Sequence, residues 1–149
     1  YTWSKTERQF DEINDGRAFP ARQDRTHDIS IVGIYEPNKK WTFSATWVYN
    51  SGGAVTFPSG KYIIDENTIV NLYTERNGYR MPDYHRLDLG VTYNFSEKSN
   101  LNFSLYNVYA RKNAYTITFR TNENDPTKTE AVRISLFSIV PSLTYNFNF

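Results

Sequence analysis

The sequence predicts an all-β chain, an antiparallel up-and-down meander of about six strands, and three observations carry that reading. Apolar and polar residues alternate strictly over several stretches. The connections between those stretches alternate between two lengths. Aromatic residues make up 17% of the 149 residues, as 12 Tyr, 10 Phe and 3 Trp, although mean hydropathy is only -0.65. A disordered chain would be poor in aromatics. A membrane-spanning helix would need about 18 or more consecutive apolar residues, and no such run is present.

Taken in order, Tyr1 to about Phe10 reads as a truncated strand, and Asp28 to Tyr35 as a strand with weaker alternation. Trp41 to Tyr49 alternates cleanly. From His85 to Phe95, Leu87, Leu89, Val91, Tyr93 and Phe95 fall on one face, with Arg86, Asp88, Gly90, Thr92 and Asn94 on the other. Leu101 to Leu105 begins a further copy. The last segment is the clearest: Phe137, Ile139, Pro141, Leu143, Tyr145, Phe147 and Phe149 share a face up to the terminal residue. This period of two is the signature of a strand with one apolar side.

Glu36 to Lys40 and Ser96 to Asn100 are short turns rich in turn formers. The other connections, about Asp11 to Asp24, Ser51 to Pro82 and Arg111 to Thr129, are long. In a meander, successive connections fall on opposite ends of the sheet, so the short turns share one end and the long loops the other. Membrane barrels have this asymmetry, with short periplasmic turns and longer extracellular loops, and with strands of about 9 to 11 residues. Aromatics gather where headgroups would lie. Trp41, Tyr93, Phe95, Tyr145 and Phe147 sit near the turns or terminus, and Tyr49, Tyr84, Tyr109 and Tyr115 near the long loops.

Composition removes other classes. With 17 Lys+Arg against 16 Asp+Glu, and no basic cluster, there is no electrostatic footprint for nucleic acid. With no Cys there is no disulfide, thiolate metal site or Cys nucleophile. The start, Tyr1-Thr2-Trp3-Ser4, carries no leader pattern and reads as strand, so the chain is expected to begin within something larger. The strand count agrees, because about six strands cannot close a barrel whose kind starts at about eight. One-sided alternation alone does not separate lipid from a protein core. A soluble, aromatic-rich carbohydrate-binding β-sandwich therefore stays open as an alternative.

The stretches FPARQDRTHDISIVGIY, RNGYRMPDYHRLDLGVTYNF, YNVYARKNAY and SLFSIVPSLTYNFNF together resemble the carboxyl-terminal strands of TonB-dependent outer-membrane receptors, particularly of the Bacteroidetes type. The resemblance covers nearly the whole chain. It implies the last six strands of a twenty-two-stranded transmembrane β-barrel, with the plug absent and the carboxyl terminus at the periplasmic end. The implied function is energised uptake of a nutrient, whether glycan, peptide, haem or siderophore, with no cofactor. The implied partners are outer-membrane lipid, the remaining strands and plug, TonB through the plug, the barrel assembly machinery and a substrate-binding surface lipoprotein. Leu143, Tyr145, Phe147 and Phe149 resemble the signal that machinery reads, although its upstream glycine is not evident. A large outer-membrane barrel without TonB coupling is the membrane alternative.

Arg86 and Asp88, with Asp28 as a companion, are expected to face the lumen, as substrate path or plug contact. A structural ion-pair network in a polar lumen is the plainer reading. Tyr62, Tyr73, Arg76, Tyr79 and Arg80 in the second long loop are candidates for ligand contact, because aromatic faces stack on flat ligands and Arg grips carboxylates and phosphates. Lys61 to Ile64 is expected to form a strand extension or hairpin there. His27 and His85 each begin a strand after a long loop but offer no metal spacing, and read as interfacial. Ser51 to Gly60 has a double Gly without Walker spacing. The Asn-Phe-Ser sequences at Asn94 and Asn102 lie in or beside strands and are discounted as glycosylation sites. No nucleophile motif is present, so no enzyme and no metal site are expected.

Overall fold

The computed structural model describes residues 1–65, 68–73 and 75–148, without the side chain of residue 65. It is all-β. The strands are β1 (Thr2–Trp3), β2 (Glu7–Arg8), β3 (Phe19–Pro20), β4 (His27–Asn38), β5 (Trp41–Asn50), β6 (Ala54–Val55) and β7 (Gly60–Asp65). They continue with β8 (Thr68–Leu72), β9 (Tyr79–Arg80), β10 (Tyr84–Ser96), β11 (Ser99–Tyr106), β12 (Thr116–Thr121), β13 (Thr129–Ile134) and β14 (Val140–Phe147). Six form one antiparallel sheet in the order β1-β4-β5-β10-β11-β14, which is chain order throughout. The other eight pair off within the three long connections, as β2-β3, β6-β9, β7-β8 and β12-β13.

The two hairpins are tighter than the turn residues suggest. β4 runs on to Asn38, with a register shift between Tyr35 and Asn38. Pro37 sits at that irregularity, where the missing N–H costs no ladder bond. Asn38 Oδ1 then accepts from the amides of Lys40 and Trp41 at 2.9 and 3.2 Å, which leaves only Lys39 and Lys40 between the strands. In the second hairpin, Ser96 Oγ accepts from Lys98 N at 3.2 Å. A register shift between Asn94 and Ser96 leaves Phe95 unpaired.

Register carries the alternation across the sheet. Gly33, Ala45, Leu89, Leu105 and Pro141 form one row, followed by Tyr35, Phe43, Val91, Phe103 and Leu143. On the opposite face Ile34, Ser44, Gly90, Ser104 and Ser142 are in line, and Thr42, Thr92, Asn102 and Thr144 form the next row. At Gly90 itself space is tight, since a Cβ there would stand 2.6 Å from Ser44 Oγ. Asn102 Nδ2 donates to Thr92 Oγ1, and Asn146 Nδ2 to Asn100 Oδ1, both at 2.8 Å.

The apolar face is open. Ile31, Tyr35, Leu143 and Tyr145 are each at least 59% exposed, and Leu89 and Phe103 about 40%. Among the described residues the buried ones lie in the long connections and at the strand ends beside them: Phe19, Ala21, Asp24, Gly52, Ala54 and Asn107. At the turn end of the apolar face the rings are continuous. Trp41 lies 4.7 Å from Tyr93, Tyr93 meets Phe95 edge-on at 5.0 Å, and Phe95 is 6.4 Å from Tyr145.

Two expectations are corrected. The first segment pairs with β4 only at Thr2 and Trp3. Beyond them Ser4 N donates to Thr26 O and Thr6 N to Asp24 Oδ1, which turns Glu7 and Arg8 onto β3 instead. The last strand begins at Val140 rather than Phe137, because its partner β11 ends opposite Val140 at Tyr106. Asn107 then turns the chain away at φ 55. Tyr49, Tyr84 and Tyr109 stand at the loop end as expected, but Tyr84 is on the polar face, paired with Asn50 and bonded to Arg86. The Lys61 to Ile64 stretch does form a hairpin, β7-β8.

Candidate functional site

The long connections are tied down by carboxylates. The Asp24 side chain is only 1% exposed, and it pairs with the Arg80 guanidinium while accepting from Thr6 N at 2.5 Å. Arg80 also donates to the carbonyls of Asp24 and Gly52 at 3.0 and 3.2 Å. Burial pushes the Asp24 carboxyl up, but the Thr6 amide and Arg80 outweigh it and hold it below the ordinary carboxylate value. Asp83 is a second staple. It accepts from Tyr49 Oη at 2.7 Å and Gly52 N at 3.0 Å, and these bonds lower its pKa. Gly52 has no alternative here, since a Cβ would fall 1.6 Å from Met81 O.

On the polar face, Arg86 Nε and Nη2 both reach Asp88 Oδ2 at 2.9 Å. Nη1 donates to Tyr84 Oη at 2.9 Å, and the guanidinium carbon lies 4.1 Å from the centre of the Tyr106 ring. Asp88 Oδ1 accepts from Asn107 N at 2.9 Å. Asn107 donates through Nδ2 to the carbonyls of Arg111 and Ser138, both at 2.9 Å, and accepts from Arg111 N at 3.2 Å. Arg86 and Asp88 are thus paired within a network that fixes where the third long connection leaves and rejoins the sheet. Asp28 shares their face, one row nearer the loops than Arg86, and stands outside that ion pair.

Above the polar face the connections enclose a cleft of about 1460 Å³, with Asn50 and Tyr84 from the sheet among its lining residues. The first connection and the segment before it contribute Arg8, Phe10, Arg22 and Arg25. Tyr73 and Arg76 come from the second, Tyr115 from the third. Two of the five ligand candidates, Tyr73 and Arg76, meet there. Arg76 is placed by Asn14, whose Oδ1 accepts from its amide at 2.7 Å and whose Nδ2 donates to its carbonyl at 3.0 Å.

The other three lie elsewhere. Tyr79 stacks on Phe57 at 5.0 Å, Arg80 is committed to Asp24, and Tyr62 is exposed on β7. Sequence reasoning missed Arg8, Arg22, Arg25 and Tyr115 as lining residues, which lie in separate segments with no shared motif. His27 Nδ1 is hydrogen-bonded to the Tyr1 hydroxyl at 2.9 Å, and His85 Nδ1 to that of Tyr109 at 2.8 Å. Each histidine stands at the loop end of the apolar face.

Of the assembly-signal residues, Leu143, Tyr145 and Phe147 share the apolar face of β14 and are 67%, 60% and 54% exposed. Phe149 lies outside the described residues. No protein-family model matches the chain, and neither a curated protein nor a solved structure matches it.

Proposed function

We propose that the chain is the carboxyl-terminal barrel segment of a TonB-dependent outer-membrane receptor, forming wall and rim of an energised importer of a glycan, peptide, haem or siderophore. One observation carries the membrane part: from β5 to β14 large apolar side chains are exposed on one face of the sheet while Ser, Thr and Asn rows occupy the other, although Val32 and Ile34 of β4 are apolar residues on that second face. Water would penalise that exposure, and lipid rewards it. The ring-lined turn end and the position of all three long connections opposite it support the same orientation, with short turns toward the periplasm.

Among the described residues, β14 pairs only with β11 and β1 meets β4 at two residues. Further strands of the same barrel would satisfy these open edges. Coupling to TonB, a plug, the assembly machinery and a surface lipoprotein rest on the sequence resemblance alone. A sandwich would need a second sheet over the apolar face, and the small sheets belong to the long connections instead.

The chain has no Cys, so single cysteines report cleanly. In outer membranes, Leu89→Cys and Phe103→Cys should react with a lipid-partitioning maleimide and resist a charged one. Thr92→Cys and Ser104→Cys should show the reverse. Equal reactivity of both faces toward the charged reagent overturns the barrel reading.

A further inference from the structure

The long connections sort their charges, and the sorting specifies what the cleft above the polar face can hold. Three acids of this region are used internally. Asp24 is buried against Arg80 and Thr6 N, and Asp83 is bonded to Tyr49 and Gly52. Glu75 stands 3.7 Å from Arg17. The arginines of the cleft are left over. Arg8, Arg22 and Arg76 enter no ion pair among the described residues, and Arg25 donates only to the neutral Asn50 amide oxygen, at 3.4 Å. Four guanidinium groups therefore line one cleft, against Glu12 and the already paired Glu75.

Guanidinium groups present planar forks that fit carboxylate and sulfate oxygens in pairs. The same cleft is lined by the exposed rings of Tyr73 and Tyr115, 54% and 68% accessible, which offer faces for the apolar side of a sugar ring. At about 1460 Å³ the cleft exceeds the roughly 300–1,000 Å³ of a site for one small molecule. We propose that it binds an acidic oligosaccharide, with anionic groups on the Arg8, Arg22, Arg25 and Arg76 guanidinium groups and ring faces on Tyr73 and Tyr115. This rests on reading the long connections as the ligand-facing end of the importer, and it selects one substrate class from the several that reading allows.

The test is calorimetric titration of the protein folded in detergent with three probes of equal length: oligogalacturonate, its methyl ester and a sulfated oligosaccharide. At least one anionic oligomer should bind, at least about tenfold more tightly than the ester. Its affinity should fall with added salt, and about tenfold or more in the Arg22→Gln/Arg76→Gln double variant. Lys98→Gln, at the opposite end of the sheet, should leave it unchanged. Equal binding of acid and ester, no binding of either anionic oligomer, or an affinity unmoved by the double variant overturns the proposal. So does tighter binding of a short single-stranded RNA than of both sugars. If the double variant does not fold, the acid-against-ester comparison on the parent protein decides. Cysteine labelling reads the barrel separately: anion binding without face-selective labelling would discard the barrel and keep the cleft.

Discussion

Leu89→Arg places a charge at the centre of the apolar face, and its cost separates lipid from water as the medium there. Leu89 pairs with Ala45 on one side and Leu105 on the other. Four residues along β10 in one direction stands Tyr93 of the turn-end ring cluster, and four in the other stands His85, bonded to Tyr109. Eight steps at about 3.4 Å span roughly 27 Å along the strand. A tilt of about 40° reduces this to roughly 20 Å of height, comparable to an apolar band about 25 Å tall. Leu89 is then at the midplane, where an arginine costs about 2–4 kcal/mol. Thr92→Arg, three residues away on the polar face, should cost under about 1 kcal/mol. Were the face bathed in water, the Leu89 change would resemble an ordinary surface substitution, within about 0.5 kcal/mol. Urea unfolding of the protein in lipid vesicles measures both. Equal costs for the two variants, or a Leu89→Arg cost under about 1 kcal/mol, would refute the assignment of faces.

The same unfolding assay reads Asn107, which is 1% exposed, sits at φ 55 and makes three side-chain hydrogen bonds. Asn107→Ala should cost about 2–4 kcal/mol, and Asn107→Gly, which restores conformational freedom but not the bonds, should recover only about 1 kcal/mol of it. The carboxylates give a pH dependence with a definite sign. Asp24 and Asp83 are both held below the ordinary value. Their stabilisation is therefore present above about pH 4 and lost as pH falls through their lower folded values. Hydrogen exchange, corrected for intrinsic rate, should show the long connections losing protection below that pH while β5, β10 and β11 keep theirs. Asp24→Asn should flatten the profile. Simultaneous loss across the sheet would contradict it.

The strands were legible because their information is local. A period of two needs only neighbouring residues, so the faces of β10 and β14 follow from alternation alone. The even position of Tyr84, beside Arg86, already carried its place on the polar face, and proximity to the loops obscured it. The hairpin at Lys61 to Ile64 was visible for the same local reason. Strand ends were less so, because Phe137 and Ile139 continue the alternation after their partner strand has turned away at Asn107.

The candidate site was only partly legible. Tyr73 and Arg76 could be chosen by residue type, but Arg80 could not be removed from the set, since Asp24 lies 56 residues before it in the chain. Arg8, Arg22, Arg25 and Tyr115 come together because three connections leave the same end of one sheet and fold over it. By itself, then, the sequence determined an antiparallel six-stranded meander with an apolar and a polar face, because alternation is a property of adjacent residues. Only the tertiary structure decided which acids are consumed as staples and which arginines are left to face a ligand. Those choices depend on contacts between residues that no local pattern connects.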